Sequence, residues 1–224
     1  MKRFSSLTLA ASLWMVAGAS AQGPDMENQG SGPGYERLEG LLARAKAAMD
    51  EGHADLAAGF AADALAKNTD KPSWNYGNVV YEANEILGLA ALAKGDVAAA
   101  KRHLIAAGES PGSPQLDSFG PEMTLAQKLL AKGEKAVVLQ FLDLVAKFWA
   151  TPKPGDSKES VEMHRKTAGR IERWKTEILA GRQPNLDRFD FLPFSPWTMM
   201  SAGLSAGGVM MLLARLRPRR REDQ

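Results

Sequence analysis

Glu82 and Glu85 stand three residues apart in a stretch with helical periodicity, which puts both carboxyl groups on one face. Two carboxyl groups held together bind a cation or pass a proton, although the same pair is also an ordinary solvated helix face. The three histidines, His53, His103 and His164, have no second His at metal-ligand spacing, and the chain has no cysteine. Thiol chemistry is excluded, and neither a metal nor an organic cofactor is implied. His164, next to Glu162 on an apolar stripe, reads either as a base or as a packed structural side chain. The loop ESPGSPQLDSFGPE at 109–122 carries Ser113, Asp117 and Ser118, the residue types of a hydrolase. Neither serine has the glycine pattern of a nucleophile elbow. The loop therefore also reads as a rigid connection set by Pro and Gly, with Phe119 tucked into the core. The glycine runs at 30–34 and 202–208 lack the Lys-Ser/Thr of a phosphate-binding loop.

Helices must position these groups. Periodicity and breakers predict seven, at 35–51, 54–67, 78–94, 97–108, 121–132, 135–150 and 158–180, and no stretch reads as a strand, so the fold class is all-α. The sixth shows the clearest face, with Val138, Phe141, Leu142, Val145, Phe148 and Trp149 at three- and four-residue steps. The seventh repeats the pattern through Val161, His164, Ala168, Ile171, Trp174 and Ile178. Residues 35–183 suffice for one domain with a hydrophobic core.

The helices fall into pairs. Gly52, Gly95 and Gly133 each sit in a short turn, followed at plus five, plus nine and plus twelve by small or apolar residues. These are Ala57, Ala61 and Ala64 in the first copy, Ala100, Leu104 and Ala107 in the second, and Val138, Leu142 and Val145 in the third. Small residues at such sites let the two helices of a pair lie close. With Leu87-Gly88 and Ala91 ahead of Gly95-Asp96, the middle copy resembles a tetratricopeptide repeat, a helix-turn-helix unit. The copies are spaced more widely than the roughly 34 residues of the regular repeat, because 68–76 and 108–120 intervene. The PGSPQL-SFGP loop, WNYGN at 74–78 and ERWKTEILAGRQPNLD at 172–187 resemble a group of bacterial helical-repeat proteins. That similarity implies the fold and carries no reaction.

The tetratricopeptide resemblance implies a groove lined by the first helix of each pair, holding a peptide or a partner helix. In that register Glu82, Glu85 and Leu89 face the groove, with Met123 and Gln127 from the next pair; the other reading is ordinary surface, or positions covered by the long loops. A protein or peptide partner is expected.

The two ends of the chain predict an address. Residues 1–21 have a basic start at Lys2 and Arg3, an apolar stretch and the small residues Ala19, Ser20 and Ala21, which is the form of a secretory signal peptide. Residues 22–34 (QGPDMENQGSGPG) read as a flexible leader, and 184–196 as a juxtamembrane linker. Residues 197–214 would make about 27 Å of helix, close to the roughly 30 Å of a bilayer core, so a single C-terminal transmembrane helix is predicted. The arginines of 215–224 place that end in the cytoplasm and the helical domain outside. Gly203 and Gly207 have the spacing through which two such helices self-associate. The alternative is a sorting tail removed during surface attachment, although its Leu-Pro-Phe-Ser-Pro lacks the usual recognition sequences. The formal charge of +2 is concentrated in the signal and the tail, which leaves the helical domain net acidic and disfavours a nucleic-acid partner.

Overall fold

The computed structural model describes residues 33–186. The expected signal peptide, most of the leader, the span at 197–214 and the basic tail lie outside these residues. Within them the chain is all-α, with eight helices and no strand: α1 (Pro33–Asp50), α2 (Ala54–Lys67), α3 (Tyr76–Ala93), α4 (Val97–Gly108), α5 (Pro114–Phe119), α6 (Thr124–Ala131), α7 (Lys135–Trp149) and α8 (Lys158–Leu179). No helix among the described residues is long and apolar enough to cross a membrane.

Three tight hairpins, α1–α2, α3–α4 and α6–α7, share one turn. In each, the glycine takes a left-handed φ, +80° at Gly52, +82° at Gly95 and +85° at Gly133. The glycine N–H reaches back three residues, and the next N–H reaches back five: His53 to the carbonyl of Ala48 at 2.8 Å, Asp96 to Ala91 at 2.9 Å and Glu134 to Leu129 at 3.1 Å. This paired bonding satisfies carbonyls that a helix end leaves open, and it requires a residue that tolerates positive φ. The nine aligned positions after these glycines, Ala57 through Val145, are all fully buried. The first helices of neighbouring hairpins touch each other, α1 against α3 and α3 against α6, while α8 closes the stack against α7.

One expectation, the burial of Phe119, is corrected. The 109–122 connection contains α5, started by Ser113, whose side chain accepts from the Leu116 N–H while Pro114 opens the first turn. Phe119 does not enter the core but is 63% exposed. The space beside the Trp149 ring is filled by the backbone of Gly120, at φ +77°, where even a Cβ would strike the indole. Leu116 takes the buried place in α5. The packed domain also runs past 183: Pro184 and Leu186 are buried, so the start of the expected linker belongs to the fold. α1 likewise begins at Pro33, inside the expected leader.

Candidate functional site

On the face where α1 and α3 lie side by side, a cleft of about 500 Å³ is lined also by α5 and the start of α6. Its walls are positioned by polar contacts rather than by apolar packing alone. Asn78 on α3 donates to Asn75 Oδ1 at 2.6 Å and to Gln115 Oε1 at 2.7 Å, and Ser113 donates to Asn78 Oδ1, which together hold α5 onto α3. Ser110 donates to the Gly77 carbonyl at 2.8 Å. Gly77 is glycine for a steric reason: a Cβ there would overlap the Gly112 carbonyl oxygen. The Tyr81 hydroxyl donates to the Glu122 carbonyl and fixes the segment that leads into α6.

Four carboxyl groups and one ammonium line this cleft: Asp50, Glu82, Glu85 and Glu122 with Lys46. Lys46 Nζ pairs with Glu82 Oε2 at 2.5 Å, yet its side chain is more than half exposed. Glu85 is the unusual member. It is 4% exposed, its Oε1 accepts from the Leu125 N–H at 2.7 Å, and its Oε2 has no hydrogen-bond partner. Burial pushes its pKa up to about 8; the Leu125 N–H opposes that shift and the nearby Glu122 charge adds to it. The carboxyl is therefore held neutral at pH 7. Leu89 and the exposed Phe119 supply apolar surface to the same cleft.

Of the residues expected to face a groove, Glu82, Glu85 and Leu89 come together, with Glu85 buried instead of on an open surface. Met123 does not join them: it lies in the core at the turn into α6. Gln127 faces elsewhere, its Oε1 accepting from the Leu186 N–H at 2.8 Å and pinning the chain after α8. Lys46, Asp50, Tyr81 and Glu122 were not singled out by the sequence, and Phe119 was expected in the core rather than here. Lys46 and Glu82 are 36 positions apart and only the stacking of α1 on α3 makes them neighbours.

The other candidate groups are structural in their contacts. His164 is fully buried, its Nδ1 3.1 Å from the Trp149 carbonyl and its Nε2 3.2 Å from Asp156 and 3.7 Å from Asp117. Asp117 also pairs with Lys153 at 3.1 Å, so the cluster ties α5 and the 150–157 loop to α8. The imidazole has no exposed surface, and its contacts are those of a tether between elements. The Ser113 hydroxyl is engaged as the cap of α5 and as donor to Asn78. His103 lies 3.0 Å from Asn84 Oδ1, and burial lowers its pKa. Among the described residues no group of His, Asp or Glu could hold a metal ion.

No family model, curated protein or solved structure matches the chain. Function is read from the cleft.

Proposed function

We propose that the chain is an exported, membrane-anchored module of tetratricopeptide-like hairpins that captures a segment of a partner protein. The observation that carries this reading is the cleft between α1, α3, α5 and α6. It lies on the face built from the first helices of the hairpins, is walled by charged groups, and has the exposed Phe119 ring and Leu89 beside them. An exposed aromatic beside a concave, polar-lined surface is the arrangement that anchors partners. The signal-like residues 1–21 and the apolar residues 197–214 before the arginine cluster support display outside a bacterial cell membrane with a cytoplasmic C-terminus.

The test has two arms. In spheroplasts carrying the full chain with a C-terminal tag, external protease should digest the helical domain and spare the tag, and carbonate washing should not release the protein. A tag digested from outside would refute the span, and a mature form ending near Ser195 would show a removed sorting tail. In the second arm, a photoreactive benzoylphenylalanine replacing Phe119 should crosslink a discrete partner, and Glu82→Lys should abolish the crosslink. The same photoreactive group at exposed Leu56, on α2, should give no such product. Equal crosslinking from both positions would refute capture in the cleft.

A further inference from the structure

Resting on the peptide-capture reading, we propose that the cleft is specific for a basic side chain of the captured segment, an Arg guanidinium or a Lys ammonium with an apolar neighbour. Asp50 from α1, Glu82 from α3 and Glu122 from the turn before α6 supply three carboxylates, and Lys46 is the one cation among the lining residues. A cleft lined mostly by one sign of charge raises the local concentration of the opposite sign. The second observation is independent of that charge count. Glu85, nine-tenths buried and more, lines the same cleft with Oε2 unpartnered, although a buried carboxyl oxygen ordinarily has a hydrogen-bond donor.

Lys46 shows how a cation can sit there. Its ammonium contacts Glu82 Oε2 while most of its side chain remains exposed, so it can swing into solvent when a better-placed guanidinium arrives. Leu89 and Phe119 then cover the methylene stem and an apolar neighbour, since long basic side chains bury their stems along apolar surface. A cation beside Glu85 favours its charged form, so the carboxyl ionises as the ligand binds and its proton leaves to solvent. The groups acting directly on Glu85 are the Leu125 N–H of α6 and the Glu122 charge before it; Lys46 and Asp50 from α1 and Glu82 from α3 are the other charged residues lining the cleft, and α5 contributes Gln115, which is uncharged. Binding is thereby coupled to pH, and it strengthens as pH rises through the range where unliganded Glu85 loses its proton.

The experiment titrates the full chain in detergent micelles with three probes: butylguanidinium, the peptide acetyl-Leu-Arg-Leu-amide, and its citrulline counterpart, which keeps the planar shape and three of the five N–H donors but lacks the charge. The arginine peptide should bind about ten-fold or more tighter than the citrulline peptide. Its affinity should rise about ten-fold or more between pH 6 and 8.5. Glu85→Gln should flatten that rise, and Lys46→Met should tighten binding by removing the competing ammonium. Equal affinity for the two peptides would overturn the basic-side-chain inference and leave peptide capture standing. Butylguanidinium binding without either peptide would leave the cation specificity standing and overturn peptide capture. No binding of any probe, or an affinity indifferent to pH in the unaltered protein, would overturn the inference; should Glu85→Gln fail to fold, Lys46→Met and the pH profile still decide it.

Discussion

Glu85 on α3 and Leu125 on α6 are joined by a 2.7 Å hydrogen bond, in which the buried carboxyl accepts from a backbone N–H in the first turn of α6. The residue at the N-cap of α6, Met123, has no side chain able to serve that turn. An acid 40 positions earlier in the chain therefore caps the helix. It satisfies an N–H that the helix itself cannot, and it holds α6 against the cleft.

Stability should report the protonation of this carboxyl. In the unfolded chain Glu85 titrates near 4.5 and in the folded protein near 8. Below about 4.5 both states hold the proton and the group contributes no slope. Between these values only the folded state holds it, so stability falls as pH rises; above about 8 the slope disappears. At pH 7 the cost is roughly 3 kcal/mol. Melting temperatures of Glu85→Gln and the unaltered protein from pH 5 to 8.5 should diverge in this direction, with the variant lacking the decline assigned to Glu85. Identical pH profiles would mean that the carboxyl is not held neutral.

Two glycine-to-alanine changes should move stability in opposite directions. At Gly77 a methyl meets the backbone of Gly112, which cannot rotate away, so Gly77→Ala should cost about 1–3 kcal/mol or more by overpacking. At Gly59, inside α2, a methyl meets nothing within 4 Å, and Gly59→Ala should stabilise by about 0.5–1 kcal/mol. Chemical denaturation of both variants checks the pair, and a neutral Gly77→Ala would show that α3 and the 110–113 segment are not so closely apposed.

Ser113 should behave as a cap and not as a nucleophile. Ser113→Ala removes the acceptor for the Leu116 N–H and the donor to Asn78, at a cost of about 1–2 kcal/mol. Ser113→Thr retains the hydroxyl and should recover much of the loss. A hydrolytic turnover abolished by Ser113→Ala with the melting midpoint unmoved would assign the loop a catalytic role instead.

Phe119 should separate binding from folding. Because its ring is mostly exposed, Phe119→Ser should change stability by less than about 0.5 kcal/mol. Capture of an arginine-containing peptide should nevertheless weaken several-fold, as read by titration calorimetry. A large fall in melting temperature would show that the ring packs in solution.

The stack was legible because its signal is local and repeated. Gly52, Gly95 and Gly133 mark turns whose geometry only a few residue types adopt, and the positions after them, from Ala57 and Ala61 to Leu142 and Val145, are buried as the alignment requires. Of the cleft only the α3 wall, Glu82, Glu85 and Leu89, was legible, because the rest is made by contacts between distant residues: Lys46 with Glu82, Glu85 with Leu125, Tyr81 with Glu122. Glu85 also defeats periodicity. α3 is central and touches α1, α2, α4 and α6, so the consecutive residues Ala83, Asn84, Glu85 and Ile86 are all buried and no polar face remains to identify. Phe119 misled for a simpler reason: an aromatic in a loop suggests a core anchor, and nothing in the sequence shows that the backbone of Gly120 already occupies the space beside Trp149.

The three hairpin turns also carry a stereochemical signature. Gly52, Gly95 and Gly133 have φ near +80° to +85° and open space where a side chain would lie. That backbone conformation is strained for an L-residue and ordinary for its mirror image. In a chemically synthesised or ligated chain, D-alanine at any of the three should restrict the unfolded chain to the φ the turn needs and raise stability, whereas L-alanine at the same site should lower it. The sign of that difference distinguishes handedness from size, because the two residues carry methyl groups of equal size and differ only in their configuration at Cα.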